Sequence, residues 1–159
     1  MKRACVAIVD AAHARFFRYS DDNGRPALEE IADRVSPGRQ AHGRFADPSA
    51  RGNGSTAPRS ATDDHRTDHI DELDSRFARE VVAEASRLVR EDKFAHLIVV
   101  ASPKMLGRLR IELVSLRRTG IAIDEIPQDL TRLTSPQVHD HLAALHVIDP
   151  RPGAQLRVR

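Results

Sequence analysis

The sequence has one cysteine, Cys5, no tryptophan, one tyrosine and five phenylalanines in 159 residues. A lone cysteine excludes an intrachain disulfide and fits a reducing compartment. Cys5 lies in an apolar run, where a free thiol serves as a small buried hydrophobe. With only 4% aromatic residues, a platform that stacks successive bases of a single strand is excluded. Long hydrophobic runs are missing too. None approaches the roughly 18 apolar residues of a membrane span. The apolar run after Lys2-Arg3 stops at Asp10, short of the roughly 7–15 residues in the core of a signal peptide. These absences predict a cytoplasmic protein with no membrane partner. Lysine occurs only at Lys2, Lys93 and Lys104, so arginine supplies nearly all the positive charge. The 25 basic and 23 acidic residues leave a formal charge of +2, which argues against a strongly basic nucleic-acid binder. No serine–histidine–aspartate signature, phosphate loop or glycine-rich dinucleotide motif is present, and no cofactor is expected.

What is present reads as one α/β domain over residues 1–148, with a loose Pro- and Arg-rich tail over 149–159. Ala4-Cys5-Val6-Ala7-Ile8-Val9 is continuously apolar, the mark of a strand buried on both faces. After a turn at Asp10–His13, residues 14–19 resume a strand pattern. Asp21-Asp22-Asn23-Gly24 is a hairpin turn, and Pro26 to Val35 is a third strand. From Asp68, apolar residues at Ile70, Leu73, Phe77, Val81, Ala85 and Leu88 recur at helical spacing. Phe94 to Ala101 is another buried strand. Ser102-Pro103 caps and opens a helix that stops at Gly120. Residues 121–126 form a strand ended by Pro127, and Ser135-Pro136 opens a last helix. The order β-β-β, long segment, α-β-α-β-α predicts a mixed β-sheet flanked by helices.

Residues 36–67 differ from the rest. Ser, Pro, Gly, Arg, Asp and Asn dominate, and Phe45 is the one large apolar residue before Ile70. A long flexible loop is predicted here; a segment of this kind inside a compact domain is uncommon unless it is functional or disordered.

The whole pattern resembles the bacterial host-attachment proteins. Ile8-Val9-Asp10-Ala11-Ala12-His13-Ala14-Arg15-Phe16-Phe17 is similar to their opening valine-alanine-aspartate…alanine-arginine-aromatic motif. Arg76-Phe77-Ala78-Arg79-Glu80 resembles their phenylalanine-alanine-x-glutamate helix. Ala101-Ser102-Pro103-Lys104-Met105-Leu106-Gly107-Arg108-Leu109-Arg110 looks like their alanine-proline…leucine-glycine-x-leucine-arginine segment, and Gln128-Asp129-Leu130-Thr131 like their lysine-aspartate-leucine-threonine close. The resemblance covers about residues 3–147. It implies a ribonuclease-H-like sandwich related to the middle domain of archaeal and eukaryotic release factors. In those proteins a Gly-Gly-Gln loop enters the ribosome and assists hydrolysis of peptidyl-tRNA. The equivalent segment here carries Gly38-Arg39-Gln40, which departs from that tripeptide. Arginine lacks the backbone freedom of a second glycine.

The candidate sites follow. Arg39, Gln40 and Arg44, with Arg51, Arg59 and Arg66, read as an arm for RNA phosphate. Asp47, Asp63, Asp64 and Asp68 nearly cancel that charge. Lys104, Arg108 and Arg110 lie at a helix start that follows a parallel strand, a ready anion site. Asp10 stands where ribonuclease-H-like nucleases place a metal-binding carboxylate; Asp68, Asp71 and Asp124 are its possible companions, and its plain reading is a turn residue. Asp10 and Gln40 are thus the weak catalytic candidates. The pairs His65/His69 and His139/His141 lack a third strong ligand, so no metal is expected. Three functions remain: a non-enzymatic module that binds RNA, ribosome or tRNA; a hydrolase of an ester or phosphodiester; and a factor with protein partners that influences attachment to host cells.

Overall fold

The computed structural model describes residues 2–37 and 61–154, with side chains from residue 67 onward in the second stretch. Five strands form one sheet: β1 (Lys2–Val9), β2 (His13–Asp21), β3 (Pro26–Val35), β4 (His96–Ala101) and β5 (Ala122–Ile126). Among the described residues three helices accompany it: α1 (Ala61–Glu91), α2 (Pro103–Arg117) and α3 (Ser135–Ala144). The strand order is β3-β2-β1-β4-β5. β1, β2 and β3 pair antiparallel, while β1–β4 and β4–β5 are parallel. The expected mixed sheet flanked by helices is therefore present.

Alternation along the central strands sorts the core into two layers. Cys5, Ala7 and Val9 of β1 and Leu97, Val99 and Ala101 of β4 face α1 and α2. Ala4, Val6, Ile8, Ile98 and Val100 face α3, with Phe17, Tyr19, Val138 and Leu142. Both faces are thus apolar, which is why these strands read as unbroken runs rather than as alternating ones. Between Phe16 and Phe17 the register against β3 slips from Ala32 to Glu30, so Ile31 is the extra residue of a β-bulge. Ile31 and Ala32 consequently both pack on the α1–α2 layer. At the hairpin, Asn23 and Gly24 adopt φ of 59° and 75°, the left-handed pair that an Asn-Gly turn needs.

Helix α1 begins at Ala61, ahead of the start expected at Asp68. Apolar periodicity reveals only helix that packs on something, and Ala61–Thr67 carries no large apolar residue. It does carry Asp63 and Asp64, which suit a helix N-terminus. Burial along the described part of α1 first becomes complete at Asp74. Helix α2 starts as expected: Ser102 Oγ accepts from the Met105 amide at 3.3 Å, with Pro103 in the first turn. α3 starts at Ser135, but its cap is Thr134. Thr134 Oγ1 accepts from the Gln137 amide, and Gln137 Oε1 accepts from the Thr134 amide, a reciprocal capping box.

The segment after α3 makes contacts with the rest of the fold as far as Arg151. Ile148 is buried. The Asp149 amide donates to Tyr19 Oη, and Arg151 makes a two-pronged ion pair with Asp140 at 2.7 Å. Long-range polar contacts of this kind leave no mark in local composition. No helix among the described residues is long and apolar enough to cross a membrane.

Candidate functional site

β1 is the switch point of the sheet. The chain leaves it on one side into the antiparallel β2 and returns on its other side as the parallel β4. In open α/β sheets the crevice outside the carboxyl ends of the strands at such a point is the usual place for a ligand. Asp10 follows β1 there, and Ser102 follows β4.

The Asp10 carboxylate is heavily used. Oδ1 accepts from the backbone amides of Ala12 at 2.7 Å and His13 at 2.6 Å, and closes the β1–β2 turn. The imidazole Nδ1 of His13 lies 3.6 Å from the same oxygen. Oδ2 faces the Thr131 hydroxyl at 2.9 Å, while that hydroxyl also lies 2.7 Å from Asp129 Oδ1. One hydroxyl proton is thus offered to two carboxylates. The aspartate of the first motif and the Asp129-Leu130-Thr131 of the last, far apart in sequence, meet at this hydroxyl.

Arg15, from the first motif as well, reinforces the junction. Its Nε and Nη2 donate to both oxygens of Glu30 on β3, at 3.0 and 2.8 Å. Its Nη1 donates to the carbonyls of Thr131 and Leu133. The guanidinium lies 5.0 Å from the Phe17 ring centroid. The bidentate contact to Glu30 holds the arginine firmly in its charged form.

Beside this junction opens a cleft of about 430 Å³. Asp10, His13, Asp33, Arg34, Thr131 and Arg132 are among its walls. A second cleft, about 370 Å³, lies on the Ser102 side, and Asp10 and Asp129 border it. The Ser36 amide donates to the Ala12 carbonyl at 2.8 Å. Ser36, near the end of the first described stretch, is thereby held at the β1–β2 turn.

The cations expected near the start of α2 do not converge on one point. Arg108 donates to the Asp71 carbonyl at 3.0 Å, to Ser75 Oγ at 2.9 Å and to Asp71 Oδ1 at 2.6 Å, locking α2 onto α1. Lys104 approaches the same Asp71 carboxylate at 3.8 Å. Arg110 turns the other way, to Glu125 on β5 at 2.7 Å, and Arg117 joins it there at 2.8 Å. Arg39, Gln40, Arg44, Arg51 and Arg59 lie outside the described residues, as do the side chains of His65 and Arg66.

The carboxylates considered as companions of Asp10 are dispersed. Asp71 serves Arg108, and Asp124 lies 2.6 Å from His96 Nε2. Among the described residues no group of three or more His, Cys, Asp or Glu is arranged to hold a metal ion. His139 is buried, with its Nε2 at 2.8 Å from the Asp149 carbonyl and its ring edge-on to Tyr19, whereas His141 contacts Gln128. Burial pushes the Cys5 thiol up to about 12, so it is a neutral core group.

Asp129, Thr131 and Arg15 lay inside segments quoted as motifs, yet nothing local distinguished them as members of one site. Arg34, Asp33 and Arg132 carried no signal beyond being charged.

Taken together, these features define an α/β protein with a mixed open sheet, helices on both faces and a charged cleft at the switch point. The family described as protein required for attachment to host cells matches residues 5–142, and the chain belongs to it. Among solved structures it is similar to the Aquifex aeolicus member of the Ppx/GppA family, with 13% identity and a TM-score of 0.40. That likeness covers 79% of this chain, which spans about a third (35%) of the length of the Aquifex protein. A search of curated proteins finds no match.

Proposed function

We propose that this chain is a non-enzymatic binding module of release-factor ancestry that engages RNA, on the ribosome or as tRNA, in the cytoplasm. The observation that carries this reading is the cationic rim of the cleft beside Asp10. The cleft is edged by His13, Arg34 and Arg132, and the sequence carries Arg39, Gln40 and Arg44 in the segment that follows β3. A cationic rim suits a phosphate backbone, and arginine supplies the bidentate donors for it. The mixed sheet, three antiparallel strands continued by two parallel ones between helices, supports a ribonuclease-H-like sandwich. The binding reading is preferred to ester or phosphodiester hydrolysis because two carboxylates that could assist Asp10 are engaged elsewhere, Asp71 with Arg108 and Asp124 with His96. A two-metal hydrolase needs several carboxylates gathered around the shared ions.

Co-sedimentation with bacterial ribosomes across a salt series tests the proposal, beside a variant in which a short Gly-Ser linker replaces residues 38–60. Binding that fades with salt and requires the segment is expected. Absence of binding by the full chain at low micromolar concentration would end the ribosome reading. Hydrolytic activity that disappears in Asp10→Asn or Gln40→Ala would replace it with the enzymatic one.

A second reading, a factor with protein partners that influences attachment to host cells, has its own support. Ile111 is 72% exposed and Val114 45% exposed, one turn apart on the outer face of α2. A pull-down that yields proteins but no RNA, and that is lost in Ile111→Ser, would favour it.

A further inference from the structure

The cleft beside Asp10 offers more than a rim. Its size, about 430 Å³, lies within the roughly 300–1,000 Å³ range of small-molecule sites. What it can hold depends on which of its charged groups are already committed. Arg15 and Glu30 cancel each other through two parallel hydrogen bonds, and the rest of the Arg15 fork is taken by backbone carbonyls. Asp10 is occupied by two amides and a hydroxyl.

The remaining groups are mostly donors. Arg132 is exposed and makes no hydrogen bond or ion pair with any other described residue. Among the described residues Arg34 has one polar contact, 3.4 Å to Glu84, and Glu84 has a much nearer partner in Arg87 at 2.6 Å. Most of the Arg34 fork is therefore available. The imidazole of His13 is half exposed at the mouth. Among the described residues Asp33 is the one carboxylate of the cleft without a partner. Two guanidiniums and an imidazole thus face a space opposed by a single free acid. Guanidinium presents paired N–H donors that match the oxygens of a phosphoryl group.

We infer that this cleft is a phosphate-binding subsite in which Arg34 and Arg132 grip the phosphoryl oxygens, His13 adds a third donor, and Asp33 limits the affinity. The inference deepens the RNA reading above by naming the group that the body of the fold takes. The phosphate is either that of a free nucleotide or that of a strand.

Titration of the full chain with inorganic phosphate, adenosine 5′-monophosphate and a short single-stranded RNA, followed by NMR of the His13 ring and the arginine side chains, tests it. At least one phosphate-bearing probe is expected to bind at millimolar concentration or better. Arg132→Ala should weaken that binding about tenfold, the share of one charge-assisted contact, and Arg34→Ala similarly, whereas Asp33→Asn should tighten it. Arg132 braces nothing among the described residues, so its variant should keep the native thermal midpoint. Nucleotide that displaces RNA with equal affinity identifies a free small molecule as the source. RNA that binds more than about tenfold tighter identifies the strand. No binding by any of the three probes, or binding indifferent to Arg132→Ala and Arg34→Ala, overturns the subsite. The two proposals can fail separately. Phosphate binding retained in the linker variant, with no ribosome binding by the full chain, leaves the cleft standing and removes the ribosome.

Discussion

Asp10 shows how one side chain serves as a brace. Its carboxylate closes the β1–β2 turn through two amides and reaches Thr131 in the β5–α3 connection. Asp10→Ala should leave those donors without their acceptor and cost about 1–3 kcal/mol. A urea melt reads this as a lowered midpoint at unchanged slope; an unmoved midpoint would mean that the brace carries no stability. The plain sequence reading of Asp10 as a turn residue described Oδ1 correctly. It missed Oδ2, because Thr131 is brought close only by the path of the chain. Cys5 makes the complementary point. Its apolar neighbours sufficed to predict a buried thiol, and burial raises it to about 12. A thiol-specific disulfide reagent should therefore modify the native protein no faster than the chain opens, and the denatured protein at once. Rapid labelling at neutral pH in the native state would contradict this.

At the scale of elements, paired arginines and acids set how helices sit on the sheet. Arg108 ties α2 to α1 through Asp71 and Ser75. Its Nε is buried without a partner, so the residue is held by its other two nitrogens. Arg108→Ala should destabilise the fold by about 1 kcal/mol by removing the hydrogen bonds of a largely covered guanidinium to Asp71 and Ser75, while Lys104→Ala, at an exposed pair, should cost well under 1 kcal/mol, as roughly expected of surface ion pairs. Comparing the two variants in one denaturant series checks the contrast.

Glu84 on α1 is nearly buried. The hydrogen bonds from Arg87 hold its carboxyl below its ordinary 4.5, with Arg34 assisting and burial opposing. A depressed carboxyl contributes stability that is fully present above the unfolded value and is lost as pH falls through the folded one. Thermal midpoints should therefore fall as the pH drops below about 4.5, and Glu84→Gln should flatten part of that decline. A variant as acid-sensitive as the native chain would assign the loss to other carboxylates. The Arg87–Glu84 pair follows from helical spacing, but the contacts of Arg34 with Glu84 and of Arg108 with Asp71 do not. Lys104, Arg108 and Arg110 stand close in sequence and look like one cationic patch, yet the helix turns Arg108 toward α1 and Arg110 toward β5.

For the whole molecule, the sheet and its covering helices follow from patterns written locally. Continuous apolar runs at residues 4–9 and 97–101 specify strands buried on both faces, and both faces are in fact covered. The Asn23-Gly24 turn specifies a hairpin, and Ser102-Pro103 a helix start. Family membership was legible for a related reason: short motifs kept their order along the chain, and the match runs over residues 5–142. Tertiary structure decided the rest. It extended α1 back to Ala61, where no packed face leaves a periodic signal. It buried His139 against Tyr19 and fastened the tail through Asp149 and Arg151. It gathered Asp10, Arg15 and Thr131 into one junction and left Arg34 and Arg132 with donors to spare beside a cleft. Periodicity and turn chemistry act over a few neighbouring residues, so a sequence displays them directly. The partner of a charged side chain is set by which distant segments the completed sheet brings within about 3 Å, and only the folded chain contains that information.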